Sequence, residues 1–226
     1  MPVNNNPSTS TSTSTSTSTS TSISIEYTDG APLAPDDMRT AMARALQAAR
    51  AVIDRLDDTN ANNPTPCEGW TALDVARHLV TVFRKAGVAP SGADLLAFPE
   101  IADVDLAGIA TAVDDAAAAM HAAWSEDSTL ARMIDAPWGT MPGAAVLGVW
   151  SGETLVHTWD LAVSIGVELN WPEPDTSINL EQTMQFLPES GRPAMVPFDD
   201  AVVLADDRAP IDRLAGWMGR DVAAWR

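Results

Sequence analysis

Four stretches of this chain repeat apolar residues every three or four positions, and turn formers bound each one. That spacing limits the fold more than any other feature of the sequence. Met38, Met42, Leu46, Ala49, Ile53 and Leu56 trace one helical face, which Asp36 or Asp37 can cap and the cluster DDTNANNPTP closes. Val75, His78, Leu79, Val82 and Phe83 make a second stripe, preceded by Thr71 and Asp74 at the spacing of a capping box. Leu106, Ile109, Val113, Ala117, Met120 and Trp124 make the third. The segment LARMIDAPWGTMPG then breaks the pattern with two prolines and two glycines. A fourth helix opens near Ala144 with the stripe Leu147, Trp150, Thr154, His157 and Leu161, and Gly166 is placed to stop it. Four helices with one apolar face each bury those faces by packing together, so the expected fold is an all-α four-helix bundle.

The two ends read differently. Residues 8–22 are a strict Ser/Thr alternation with nothing to bury, so residues 1–35 are expected to be a disordered tail, with at most a short extended segment at SISIEY, 22–27. The bundle is expected over 36–170. Residues 171–226 form a short, irregular, α-rich extension packed on it. A fifth helix is predicted over 177–188. A short last one is predicted in PIDRLAGWMGRD, with Ile211, Leu214, Ala215 and Met218 on one side.

Charge narrows the range of partners. The net charge is −18, and residues 1–35 hold only Glu26 and Asp29, which leaves −16 on the rest. Such a surface repels phosphate backbones and anionic lipid, so neither nucleic acid nor membrane is an expected partner. No apolar run is long enough for a membrane span, and the N-terminus lacks the pattern of a signal peptide. The single Cys67 excludes an internal disulfide and a thiolate-cluster metal site. These features together predict a cytoplasmic protein, and they leave the oligomeric state open.

The chemistry concentrates in GETLVHTWDLA. Glu153 and His157 are four residues apart, so they project from one side of a helix. His78 lies inside the apolar stripe of the second helix and points inward. Two imidazoles and one carboxylate meeting in a bundle would bind a divalent metal and leave a coordination position open. The spacing alone is equally served by a buried Glu–His hydrogen bond, because an unpaired carboxylate among Val156, Trp159 and Leu161 would be costly.

Other residues have competing roles. Asp160, three after His157, is placed to orient that histidine, or to bond a neighbouring helix or a backbone group. Asp74 is explained by capping with Thr71. Cys67 reads as packing, since no basic residue lies within five positions to activate it. His121 sits beside the third stripe, a boundary residue or a fourth ligand. Trp138, Trp150 and Trp159 either fill the core or wall a substrate pocket.

The motifs TPCEGWTALDVARHLV, PWGTMPG, GETLVHTWDLAVSIG and DRLAGWMGRDVAAW, in that order, resemble the actinobacterial metal-binding branch of the DinB superfamily, which is related to mycothiol-dependent maleylpyruvate isomerase. The resemblance runs from about residue 36 to the end. It implies a DinB-like four-helix bundle in which His78, Glu153 and His157 hold a divalent metal, zinc best, with Fe(II) or Ni(II) as alternatives. It also implies a low-molecular-weight thiol, mycothiol or bacillithiol, as cosubstrate. The metal lowers the thiol pKa, and the thiolate attacks an electrophilic small molecule, in transfer or in isomerisation. Catalytic and substrate-binding residues are not assigned, since the extension is shorter than the isomerase's C-terminal domain and no catalytic arginine matches Arg192, Arg208, Arg213 or Arg220. Two other functions fit the same residues. One is a non-enzymatic, metal-stabilised binding or stress-response protein. The other is a metal-dependent hydrolase, for which no distinct general base is visible.

Overall fold

The computed structural model describes residues 20–27, 37–193, 196 and 198–226. The Ser/Thr alternation up to residue 19 and the alternative cap Asp36 lie outside the described residues. Helix α1 (Met38–Ile53) starts at Asp37, whose carboxylate accepts from the Arg39 N–H at 2.8 Å. That satisfies a donor the first turn would otherwise leave bare. Helix α2 (Ala72–Val88) starts with the capping box: Thr71 Oγ1 accepts from the Asp74 N–H, and the Asp74 carboxylate accepts from the Thr71 N–H. Helix α3 is Ile109–Ala123, α4 is the single turn Asp127–Ala131, and α5 is the long helix Gly143–Ser164.

Helices α1, α2, α3 and α5 form the bundle. Helix α2 packs on α3 and α5, and α1 packs on α5 and α3. Met42, Val52, Val75, Leu79, Phe83, Val113, Leu147 and Trp150 meet in one core. Trp124, at the end of α3, is buried and donates its indole N–H to the Ala86 carbonyl on α2 at 2.8 Å. Burying its polar tip therefore leaves no orphan donor.

The segment between α3 and α5, read from sequence only as a break, folds as a hairpin. Strand β2 (Met133–Ala136) pairs antiparallel with β3 (Gly139–Pro142) around the turn at Pro137 and Trp138. Ile134 faces in while Met133 is exposed, the period of a half-buried strand. Four residues are too short for that period to stand out from sequence.

The N-terminal tail is ordered over residues 20–27, where the sequence allowed a short extended segment at 22–27. Strand β1 (Thr21–Ile23) pairs in parallel with β4 (Val167–Leu169), just after α5. Asn170 then clamps the continuation: its side chain accepts from the Ile25 N–H at 2.7 Å and donates to the Ile25 carbonyl at 2.9 Å. The partner lies 146 positions downstream, beyond the reach of a local reading.

Helix α6 spans Glu173–Phe186, four residues earlier than its apolar pattern predicts at the start. Pro174 is tolerated in the first turn, where its missing N–H is not needed. Helices α7 (Pro210–Trp217) and α8 (Val222–Trp225) finish the chain. They close a second apolar cluster in which Leu155, Val156 and Trp159 of α5 meet Leu180, Ile211, Leu214 and Ala215. Helix α5 is thus covered on two sides. The indole N–H of Trp159 donates to Asp212 at 3.0 Å, and Arg44 on α1 pairs with buried Asp175 on α6 at 2.6 Å. Among the described residues no helix is long and apolar enough to cross a membrane.

Gly143 is where the hairpin turns into α5. A Cβ there would overlap the Thr129 carbonyl oxygen and press on the Trp124 ring. Both neighbours are fixed, so Gly143→Ala is expected to cost about 1–3 kcal/mol, the usual penalty of overpacking. Urea denaturation of the two proteins measures it; an unchanged midpoint would show that the hairpin gives way freely.

Candidate metal centre

His78 and the pair Glu153–His157 come together because α2 and α5 pack side by side. One donor atom from each residue lies within 4.8 Å of the other two. The imidazole rings of His78 and His157 sit edge to face, 4.7 Å between centroids, with Trp70 stacked on His157 and tilted against His78. His78 and His157 are buried and Glu153 is half-buried, so the cluster sits at the floor of an opening.

Each imidazole is held by its far nitrogen. His78 Nδ1 lies 2.8 Å from the Glu100 carbonyl oxygen. A carbonyl only accepts, so Nδ1 carries a proton, and Nε2 faces Glu153 Oε1 at hydrogen-bond distance, 3.3 Å. His157 Nδ1 donates to Asp160 Oδ2 at 3.0 Å, which assigns its proton in the same way. Burial lowers the pKa of His157, with His78 and Arg220 adding to it against the pull of Asp160, so this ring is neutral at pH 7. Burial pushes the Glu153 carboxyl up, but the His78 hydrogen bond and the charges of His78, His157 and Lys85 together bring it below its usual value. Two imidazole nitrogens and one carboxylate thus face each other, and a cation would take the place of any proton held between His78 and Glu153. That donor set suits a divalent cation.

Behind His157 lies a second network. Arg220, from the turn between α7 and α8, donates through Nε and Nη2 to both oxygens of Asp160, at 3.1 and 2.7 Å. Burial would raise the Asp160 carboxyl, but Arg220 first and His157 after it hold it well below the carboxylate range. The thiol of Cys67 donates to the same carboxylate at 3.2 Å and accepts from Arg220 Nη2 at 3.5 Å. Burial, and then the Asp160 charge, push that thiol up, so it stays protonated. Cys67, His157 and Asp160 also stand close enough to ligate an ion, but here every polar atom already has a partner and the guanidinium balances the carboxylate.

The sequence reading placed His78, Glu153 and His157 correctly as residues that point inward, and the fold joins them. Asp160 holds both His157 and the C-terminal segment, combining the two roles weighed for it. Arg220 was missed as a member of this network, because nothing in GRD marks which of the C-terminal arginines folds back. Trp70 was missed as well: Trp138, Trp150 and Trp159 drew attention, yet Trp150 and Trp159 are core residues and Trp138 packs edge-on against Trp150 on the hairpin. His121 is exposed on α3 and stands outside the cluster.

A cavity of about 480 Å³ opens over the three donors. Cys67, Glu68 and Trp70 line it together with Phe198, Asp199 and Arg220. The C-terminal segment thus contributes to the site.

Comparisons with known proteins give the chain a family. Two uncharacterized proteins of Mycobacterium tuberculosis are each 28% identical over 189 residues, 82% of this chain and 99% of theirs. The solved structures of the mycothiol-dependent maleylpyruvate isomerase and of a histidine mutant of it superpose with a TM-score of 0.46 at 17% identity, over 57% of this chain and 61% of that one. Residues 42–162, which hold most of α1, all of α2 and α3, nearly all of α5 and the three donors, match the mycothiol maleylpyruvate isomerase N-terminal domain, and the chain belongs to that family.

Proposed function

We propose that this protein holds a divalent metal on His78, Glu153 and His157 and uses it in a mycothiol-dependent transfer or isomerisation. One observation carries the reading: two imidazole nitrogens and a carboxylate converge at the floor of an open cavity. A bound divalent cation, zinc by the nature of the donors and Fe(II) or Ni(II) as alternatives, makes a thiol acidic enough to ionise at neutral pH. The chain's own residues do the rest. Glu100 and Asp160 fix the two imidazole tautomers, so the lone pairs point at one position. Arg220 keeps Asp160 ionised, and the carboxylate in turn keeps His157 oriented. Trp70 covers the rings and limits water at their open side. Cys67, held protonated, stays out of the chemistry.

The family supports a thiol cosubstrate and a small electrophilic partner, while the isomerase's own substrate is not carried over to this chain. The open cavity favours catalysis over a purely structural ion that ties α2 to α5, since a structural site would be closed by protein. A single Cys and a reduced thiol cosubstrate fit a cytoplasmic setting. X-ray absorption of the metal-loaded protein is the test. Adding mycothiol is expected to place one sulfur in the metal's coordination sphere, and a spectrum that keeps only nitrogen and oxygen neighbours rejects the thiol mechanism.

A further inference from the structure

The walls of the cavity carry an uneven charge. Glu68, Glu100 and Asp199 are exposed around the opening, and Glu153 lies at the floor. Arg220 is the one cation among the described lining residues. Its Nε and Nη2 are committed to Asp160, which is itself fully buried, and its Nη1 donates to the Met218 carbonyl at 2.8 Å. The guanidinium is therefore balanced by a carboxylate behind it and sits under the Phe198 ring, 5.7 Å from the centroid, so little of its charge reaches an incoming anion.

At the floor, Glu153 would offset one charge of a divalent cation held there, and a thiolate would offset the other. An electrophile approaching that neutral floor meets three rim carboxylates and the apolar surfaces of Trp70, Val196, Phe198 and Met218. A strongly acidic protein deepens the same field.

We infer that the electrophile taken by this cavity is an uncharged or cationic molecule with an apolar body, and that dicarboxylates are selected against. The inference rests on the thiol-dependent reading above and names the substrate class of that same site. Shape and metal alone would not give it. A carboxylate pair would have to displace rim charge or find a free cation, and the lining offers neither.

The test uses the full-length, metal-loaded protein and two probes of nearly equal shape: the mycothiol S-conjugate of succinate as its diacid and as its dimethyl ester. Calorimetry at low salt is expected to show the ester binding at least about tenfold more tightly, since like charges brought together at an interface cost several kcal/mol. The gap is expected to shrink at high salt, where screening shortens to a few ångströms. It should also shrink in the Glu68→Gln, Asp199→Asn double variant, whose rim has lost two charges. Equal or tighter binding of the diacid overturns the inference, as does a gap indifferent to both salt and the double variant, or binding of neither conjugate by a protein that binds mycothiol. Failure of mycothiol itself to bind the metal-loaded protein removes the underlying thiol reading instead, so the two failures are told apart.

Discussion

Replacing Arg220 with alanine is expected to lower the unfolding free energy by about 3–5 kcal/mol, the usual cost of leaving one member of a buried ion pair without its partner. Asp160 is fully buried and Arg220 nearly so, and the contact is bidentate. Without the guanidinium, the carboxylate keeps only His157 and the Cys67 thiol as donors. The loss reaches further than stability. Arg220 is also a link between the C-terminal segment and the back of α5, beside the Trp159–Asp212 hydrogen bond, so its removal loosens the part of the cavity lining it belongs to. For a chain of this size the midpoint of thermal unfolding should fall by roughly 10 °C. Differential scanning calorimetry measures it, and Arg220→Lys is expected to recover only part, because an ammonium does not reproduce the two-pronged contact. A fall of less than about 1 °C would show that Asp160 escapes to solvent or takes up a proton at little cost.

Zinc supplied at about one hundred times its dissociation constant is expected to stabilise the protein by about 2.7 kcal/mol, since an ion that binds only the folded state shifts unfolding by mass action. That amounts to roughly 5–10 °C in the midpoint for a chain of this length. A chelator should reverse it fully. In Glu153→Ala the increment should vanish, because two neutral imidazoles remain and the one negative donor is gone. The sign of the variant's own effect is informative. Without metal, Glu153 faces Nε2 of His78 at hydrogen-bond distance, 3.3 Å, and the variant removes that contact. The metal-free variant should therefore be less stable than the metal-free parent by about 1–3 kcal/mol. A zinc increment that survives Glu153→Ala would place the ion elsewhere.

The sequence made the four bundle helices legible because each carries its apolar residues on one face, and the caps at Asp37 and at Thr71–Asp74 use local hydrogen bonds that spacing alone reveals. The donors were legible for a related reason. A histidine inside an apolar stripe, as His78 is, must point inward, and a Glu four residues before a His shares its side. What stayed hidden depends on distant partners. The pairing of Thr21–Ile23 with Val167–Leu169 joins segments 146 positions apart and leaves no trace in either one. Arg220 meets Asp160 across 60 positions, and Phe198 comes over the same guanidinium from an irregular stretch. The hairpin at 133–142 was hidden by its shortness, and the start of α6 by prolines that break helices in general but are harmless in a first turn.

The central claim is that His78, Glu153 and His157 meet around one cation, and elemental analysis of the purified protein tests it most directly. The parent should carry about one equivalent of a divalent transition metal after dialysis, and His78→Ala, Glu153→Ala and His157→Ala, each shown to be folded by circular dichroism, should carry close to none. One equivalent retained in any of the three folded variants would contradict it.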